Sequence, residues 1–168
     1  KGMTAVSVIG AGAFGTALAA VIARSGRAVM LWGRDAAQIH EMRHSNENKR
    51  YLPGLALPEG IVPSDDLDVA ARVPVIILAV PTQSLRAAAT ALAPYLPAGT
   101  ALIAAAKGIE QGSEKFVTDI LADCAPQAPA AVLSGPSFAA DIMHGLPTAV
   151  TLAAPDLALA EQLAKAAS

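Results

Sequence analysis

Short apolar runs alternate with stretches of helical spacing along most of the chain. Val6–Ile9 reads as a first strand. Phe14, Ala17, Leu18, Val21 and Ile22 then recur at the three- and four-residue intervals of one helix face. Gly26 closes that helix, because glycine enters the left-handed cap conformation without steric cost. A second strand is predicted over 28–32, and a second helix, capped by Asp35, runs to about Ser45. Residues 46–60, rich in Asn, Pro and Gly, read as a long loop, and long loops in compact domains tend to be functional. Residues 61–63 form a short edge strand, and Asp65 or Asp66 opens a short helix.

The continuous apolar run over 75–80 marks a strand buried on both faces. Pro81 and Thr82 turn it into a helix ending near Tyr95. A strand over 102–105 and a helix over 114–124 follow, the helix with Phe116, Ile120 and Leu121 on one side. Then come a strand over 131–133, a helix started by Pro136 and ended by Gly145, a strand over 149–152 and a last helix over 156–165. This alternation predicts an α/β fold, a doubly wound parallel sheet forming one domain from Met3 to Ser168. Lys1 and Gly2 precede Met3 and are set aside from the fold.

Composition narrows the classes. Of 168 residues, 54% are hydrophobic and 15% charged, the reverse of what disorder requires. The net charge is −2 with no basic run, so nucleic acid is not an expected partner. Residues 87–106 carry no charge, but Pro94, Pro97 and Gly99 would break a helix there, so no membrane span is expected. With no basic region leading into an apolar run, a cytoplasmic setting is expected. Cys124, the one cysteine, excludes an internal disulfide and reads as a small apolar residue near a helix end. His40 and His44 share a helix face, but no third ligand lies nearby in sequence and no metal is expected.

The candidate chemistry sits where strands end. Residues 8–15, VIGAGAFG, place GxGxxG between a strand and an amphipathic helix. Gly10 permits the tight turn, Gly12 lets the backbone approach a pyrophosphate without a Cβ, and Gly15 lets the helix pack on the sheet. Free N–H groups and the helix dipole attract the anion. An acid at the end of the second strand would meet the ribose 2′-hydroxyl of NAD. Here the strand ends LWGRD, and Arg34 in that neighbourhood favours the 2′-phosphate of NADP; Asp35 keeps NAD open, although helix capping is its first role. Residues 79–83 can line the nicotinamide side. Lys107, after an apolar strand and before Gly108, suits a substrate phosphate or hydroxyl at the mouth of a cleft. Ser134 to Ala139 run from strand to helix, where amides and the Ser137 hydroxyl can bind an anion or cap the helix.

The segments GAGAFGTALA, LWGR, NKRYLPG, LAVPTQSLR, AAKGIE and SGPSFAADI, followed by HGLPTAV, stand in the order found in bacterial NAD(P)-dependent glycerol-3-phosphate dehydrogenases. From Thr4 to Ser168 the chain resembles their N-terminal, Rossmann-like domain. The resemblance implies hydride transfer between NAD(P)H and dihydroxyacetone phosphate to give sn-glycerol 3-phosphate for phospholipid synthesis. It implies cofactor contacts at Ala13, Phe14, Arg34, Tyr51, Lys107 and Ala139, beside Gly10, Gly12 and Gly15 of the turn, and substrate contacts at Lys107, Gly135 and Ser137. Two positions depart from the commonest pattern: Ala13 replaces a small polar residue, and Asp141 stands where Glu is usual. The family's catalytic lysine belongs to a helical C-terminal domain and would lie beyond Ser168, so no catalytic residue is expected within this chain. The resemblance also implies a homodimer for the full-length protein. The alternatives are another dehydrogenase of this architecture, such as a ketopantoate reductase relative, and a dinucleotide-binding module without chemistry.

Overall fold

The computed structural model describes residues 5–135, 138–147 and 149–167. Its element order is β1 Val6–Ile9, α1 Ala13–Arg24, β2 Val29–Trp32, α2 Ala36–Ser45, β3 Ile61–Ser64, α3 Leu67–Ala71, β4 Val75–Leu78, α4 Thr82–Leu92, β5 Ala101–Ala104, α5 Val117–Cys124, β6 Ala130–Ser134, α6 Ala139–Met143, β7 Thr151–Ala153 and α7 Leu157–Ala167. One sheet runs in the order β3-β2-β1-β4-β5-β6-β7. Pairings from β3 through β6 are parallel, and β7 joins β6 antiparallel. The chain leaves β1 toward β2 on one side and returns to β4 on the other, so a topological switch lies at the ends of β1 and β4, where open α/β sheets hold ligands.

The central strands are apolar because helices cover both faces, with the exception of Ser7 in β1, which is fully buried. On one face Val8, Leu31, Ile77 and Ile103 pack with Leu18 and Ile22 of α1, Ile39 and Met42 of α2, and Leu163 of α7. On the other, Ile9, Ile76, Leu78 and Leu102 meet Leu85, Ala89 and Leu92 of α4 and Ile120 and Leu121 of α5. Pro63 sits in β3 at the sheet edge, where a missing N–H is tolerated. The caps follow the sequence reading. Asp35 accepts from the amides of Ala37 and Gln38, Asp66 caps α3, and Gly26 and Gly145 take φ of +86° and +76° after α1 and α6.

Several boundaries differ from the pattern. The strand predicted over 75–80 ends at Leu78, leaving Ala79 and Val80 to form the cleft wall. The predicted helix over 114–124 begins only at Val117, and Phe116 is 60% exposed rather than on the packed side. Glu110 N–H donates to Lys115 O at 2.9 Å, Glu114 takes φ +58°, and Ile109 bridges Phe116 antiparallel, so this stretch closes as a turn before the helix starts. The last strand lies at Thr151–Ala153, later than 149–152 and antiparallel. Pro136, the expected helix start, and Ser137, an expected substrate contact, lie outside the described residues. So do Met3 and Ser168, the two ends of the domain expected from the sequence; the last described element, α7, closes at Ala167.

Candidate functional site

Residues 10–15 build the first wall. Gly10 N–H donates to Trp32 O at 2.9 Å, and Gly10 holds φ +118° with no room for a side chain, since a Cβ would overlap the Ala79 carbonyl. A Cβ on Gly15 would overlap the Gly10 carbonyl. Gly12 is different: its φ is −81°, which any residue adopts, and a Cβ there would meet nothing within 4 Å. The fold therefore demands glycine at 10 and 15 but not at 12. Gly33, which the sequence reading passed over, belongs with the first two. A Cβ there would lie 2.7 Å from Ile39 Cδ1 and 2.9 Å from the Ala11 methyl, so α2 packs directly over this glycine. Its signal was its position between the apolar strand and Arg34.

The ends of β1, β4 and β5 open onto a cleft of about 570 Å³ lined by residues 12–15, 79–83 and 105–107. Of the predicted site residues, Gly12, Ala13, Phe14, Gly15 and Lys107 line it, while Gly10 lies beneath, against Ala79. Among the described residues Arg34, Tyr51, Gly135 and Ala139 stand outside the lining. Arg34 is exposed past the end of β2, and Tyr51 is 45% exposed with the Arg50 guanidinium 5.5 Å from its ring centroid. Ala139 is partly buried in the cluster that joins α1, α6 and Leu52, beside Ala13 and Phe14. Arg24 of α1 ties these helices together, donating to Ile142 O at 2.6 Å and to Met143 O at the C-terminal end of α6.

Lys107 is exposed and donates from Nζ to Gly135 O at 3.1 Å, so two of the three predicted substrate positions meet directly. Its loop is held by α4. Thr82 Oγ1 donates to Lys107 O at 2.5 Å, Gln83 Nε2 donates to Ile109 O at 3.0 Å, and Gln83 Oε1 accepts from Gln111 N–H at 3.0 Å. One turn on, Arg86 grips Glu110 with Nε at 2.9 Å and Nη2 at 2.8 Å, and Glu110 is only 12% exposed. The Arg86 guanidinium, then the Ser113 hydroxyl, holds the Glu110 carboxyl below the usual carboxylate range, and Glu110 in turn raises Arg86 above its ordinary value. Asp123 is likewise lowered, first by Lys115 and then by Arg86.

Both carboxylate oxygens of Asp35 accept hydrogen bonds at the end of β2. One oxygen accepts from the Ala37 and Gln38 amides at 3.0 and 3.3 Å, the other from Arg50 at 2.9 Å. The Gln38 amide is the largest cause holding its carboxyl below the usual range. Of the histidines, His40 and His44 bring their rings to 4.2 Å, and His44 Nδ1 lies 2.9 Å from His40 O. Among the described residues no group of three or more His, Cys, Asp or Glu is arranged to hold a metal ion.

The chain is 56% identical over 161 residues to a glycerol-3-phosphate dehydrogenase [NAD(P)+] of Azorhizobium caulinodans, covering 96% of this chain and 49% of that protein. The structure of a glycerol-3-phosphate dehydrogenase from Coxiella burnetii superposes with a TM-score of 0.91 at 34% identity, over 98% of this chain and 51% of that one. A ketopantoate reductase from Ralstonia eutropha reaches a TM-score of 0.62 at 19% identity, over 78% of this chain and 41% of that one, a likeness of fold alone. The chain thus spans about half the length of the curated relatives it matches. Residues 5–160 match the model of the NAD-dependent glycerol-3-phosphate dehydrogenase N-terminus, and the chain belongs to that family.

Proposed function

We propose that this chain is the dinucleotide-binding portion of an sn-glycerol-3-phosphate dehydrogenase. The full-length enzyme interconverts dihydroxyacetone phosphate and sn-glycerol 3-phosphate with NAD(P)H, for glycerophospholipid synthesis. Gly12 carries the reading. Neither its backbone angles nor its neighbours require glycine, and it opens α1 at the mouth of the cleft. A ligand backbone-close to that position accounts for the missing Cβ, and the helix start supplies donors for a pyrophosphate. When bound, NAD(P)H supplies the hydride. The chain's own residues bind and orient: Gly12, Ala13, Phe14 and Gly15 cradle the phosphates, and Tyr51 and Ala139 flank the cofactor. Lys107, Gly135 and Ser137 serve the substrate, with Lys107 also reaching the cofactor. The proton donor comes from the half of the full-length enzyme that this chain does not match, so the 168-residue chain binds dinucleotide but turns over little.

NADP is the favoured cofactor. Asp35 already serves the α2 cap with one oxygen and Arg50 with the other, so a ribose 2′-hydroxyl would have to share Oδ2 with Arg50. Arg34 beside it is exposed and suited to a 2′-phosphate. The reading includes a cytoplasmic, homodimeric full-length enzyme. Among the described residues no helix is long and apolar enough to cross a membrane. Calorimetric titration with NADPH and NADH tests the cofactor. NADPH should bind more tightly, and Arg34→Ala should remove the difference. Equal binding of both by the parent chain would strike Arg34 as selector. Robust oxidation of NADPH by the isolated chain with dihydroxyacetone phosphate would overturn the assignment of the proton donor to the other half.

A further inference from the structure

The long segment 46–60 carries a fully buried polar side chain that the cofactor reading above does not use. Asn48 is 0% exposed, and its amide nitrogen donates to Ala11 O at 3.0 Å and to the Thr16 hydroxyl at 2.9 Å. Gln38 of α2 donates to the same Ala11 carbonyl at 2.8 Å and to Asn48 Oδ1 at 3.2 Å. Each nitrogen therefore spends both of its hydrogens within this network. The Ala11 carbonyl receives two side-chain amides, from residues 27 and 37 positions away in sequence.

The peptide joining Ala11 to Gly12 is the one that matters for an anion at the start of α1. No cis peptide is present among the described residues. In a trans peptide the C=O and the following N–H point in opposite directions. Anchoring Ala11 O toward α2 and the 46–60 segment therefore turns Gly12 N–H away from them, toward the cleft that Gly12 lines. That N–H is among those at a helix start with no intrahelical acceptor. Glycine at 12 makes the anchor necessary. A peptide followed by glycine can flip, because glycine accepts positive φ at no steric cost. The same missing Cβ that lets a ligand approach would let the donor swing to the wrong side.

We infer that Asn48 and Gln38 are positioning residues that lock the Ala11–Gly12 peptide so that Gly12 N–H faces the cofactor pyrophosphate. This rests on the reading of the cleft as a dinucleotide site. Gln38 is the better probe because it is only partly buried, and Gln38→Met keeps its bulk while removing the donor.

The experiment is an NADPH titration of the parent chain and of Gln38→Met and Gln38→Glu, followed by calorimetry and by the amide resonance of Gly12, with thermal unfolding of each protein. The parent should bind, with a marked shift of the Gly12 amide. Both variants should unfold near the parent temperature, bind about threefold to tenfold more weakly, and lose much of the Gly12 shift. Undiminished affinity in both variants would overturn the inference. So would weaker binding with the Gly12 shift intact, which would mark a general loosening. A parent chain that binds no NADPH would instead remove the dinucleotide reading, and the inference with it.

Discussion

Two loops meet at the cleft, and they are held by different means. The turn after β1 is fixed by contact: Gly10 and Gly15 are pressed against the carbonyls of Ala79 and Gly10, with no space for a side chain. The loop after β5, which carries Lys107, is fixed by polar side chains of α4. Thr82, Gln83 and Arg86 hold it at residues 107, 109, 110 and 111. Steric fixing is stiff and unforgiving, because interiors transmit a misplaced atom directly. Polar fixing is made of separate bonds, each worth about 0.5–1.5 kcal/mol net, and can be loosened one at a time. In the proposed function, a turn that presents backbone donors to a constant anion suits the first, while a lysine that reaches both a cofactor and a substrate suits the second.

The largest expected effect breaks the steric loop. Gly15→Ala drives a methyl into the Gly10 carbonyl. Overpacking of this kind typically costs about 1–3 kcal/mol, read as a lower urea midpoint. Gly12→Ala is the matched control. Its backbone angles accept alanine and its Cβ points into open space, so stability should hold or rise slightly, by up to about 1 kcal/mol. NADPH binding by the same variant should fall at least about tenfold, since that space is the ligand's in this reading. A Gly12→Ala protein that unfolds as readily as Gly15→Ala would make position 12 a fold requirement and erase the distinction.

Next comes the polar loop. Gln83→Ala strips the Ile109 carbonyl and the Gln111 amide of their partner together. Hydrogen exchange at Gln111 should quicken about threefold to tenfold while amides of α1 keep their protection. If α1 loosens equally, the two loops are one cooperative unit and the contrast fails.

Of the two loops, acid should loosen the polar one. The Glu110 carboxyl is held below its unfolded value, so its contribution to the loop is complete above the unfolded value. That contribution is lost as pH falls through the lower folded one. Asp123, lowered in the same network, adds in the same direction. Exchange at residues 108–114, corrected for intrinsic rates, should be flat from pH 7 to about 5 and should quicken below about 4. Arg86→Met should already be loose at neutral pH and lack the acid step.

The two loops also differ in how far the sequence revealed them. GxGxxG was readable because its three glycines fall within six residues between an apolar strand and a helix, although Gly10 also answers to Ala79 far along the chain and Gly12 to no protein neighbour. Lys107 was readable as a lysine at a strand end, but what holds it was not. Arg86 meets Glu110 across 24 positions and Gln83 meets Ile109 across 26, and no periodicity encodes a pairing at that range. Gly33 and Asn48 were missed for related reasons: one is dictated by α2 packing over it, the other by a carbonyl 37 residues earlier. The helix misread over 114–116 is the same lesson in miniature. Its spacing was helical, and the bridge between Ile109 and Phe116 overrode it.

The smallest effect is the sharpest test of the division. Thr82→Val keeps the side-chain shape and removes one hydroxyl, the donor to Lys107 O. Thr82 is 9% exposed and valine matches its volume, so the loss should not exceed about 1 kcal/mol in urea unfolding. The carbonyl it served sits on an exposed residue and can turn to water. Lys107 Nζ then has one fewer restraint on its backbone, and its contact with Gly135 O should broaden. The lysine side-chain resonance should show it, while the Gly12 amide stays where it was. A shift at Gly12 in this variant would mean that strain passes through Ala79 and Val80 from one wall of the cleft to the other, and the two loops would have to be treated as one.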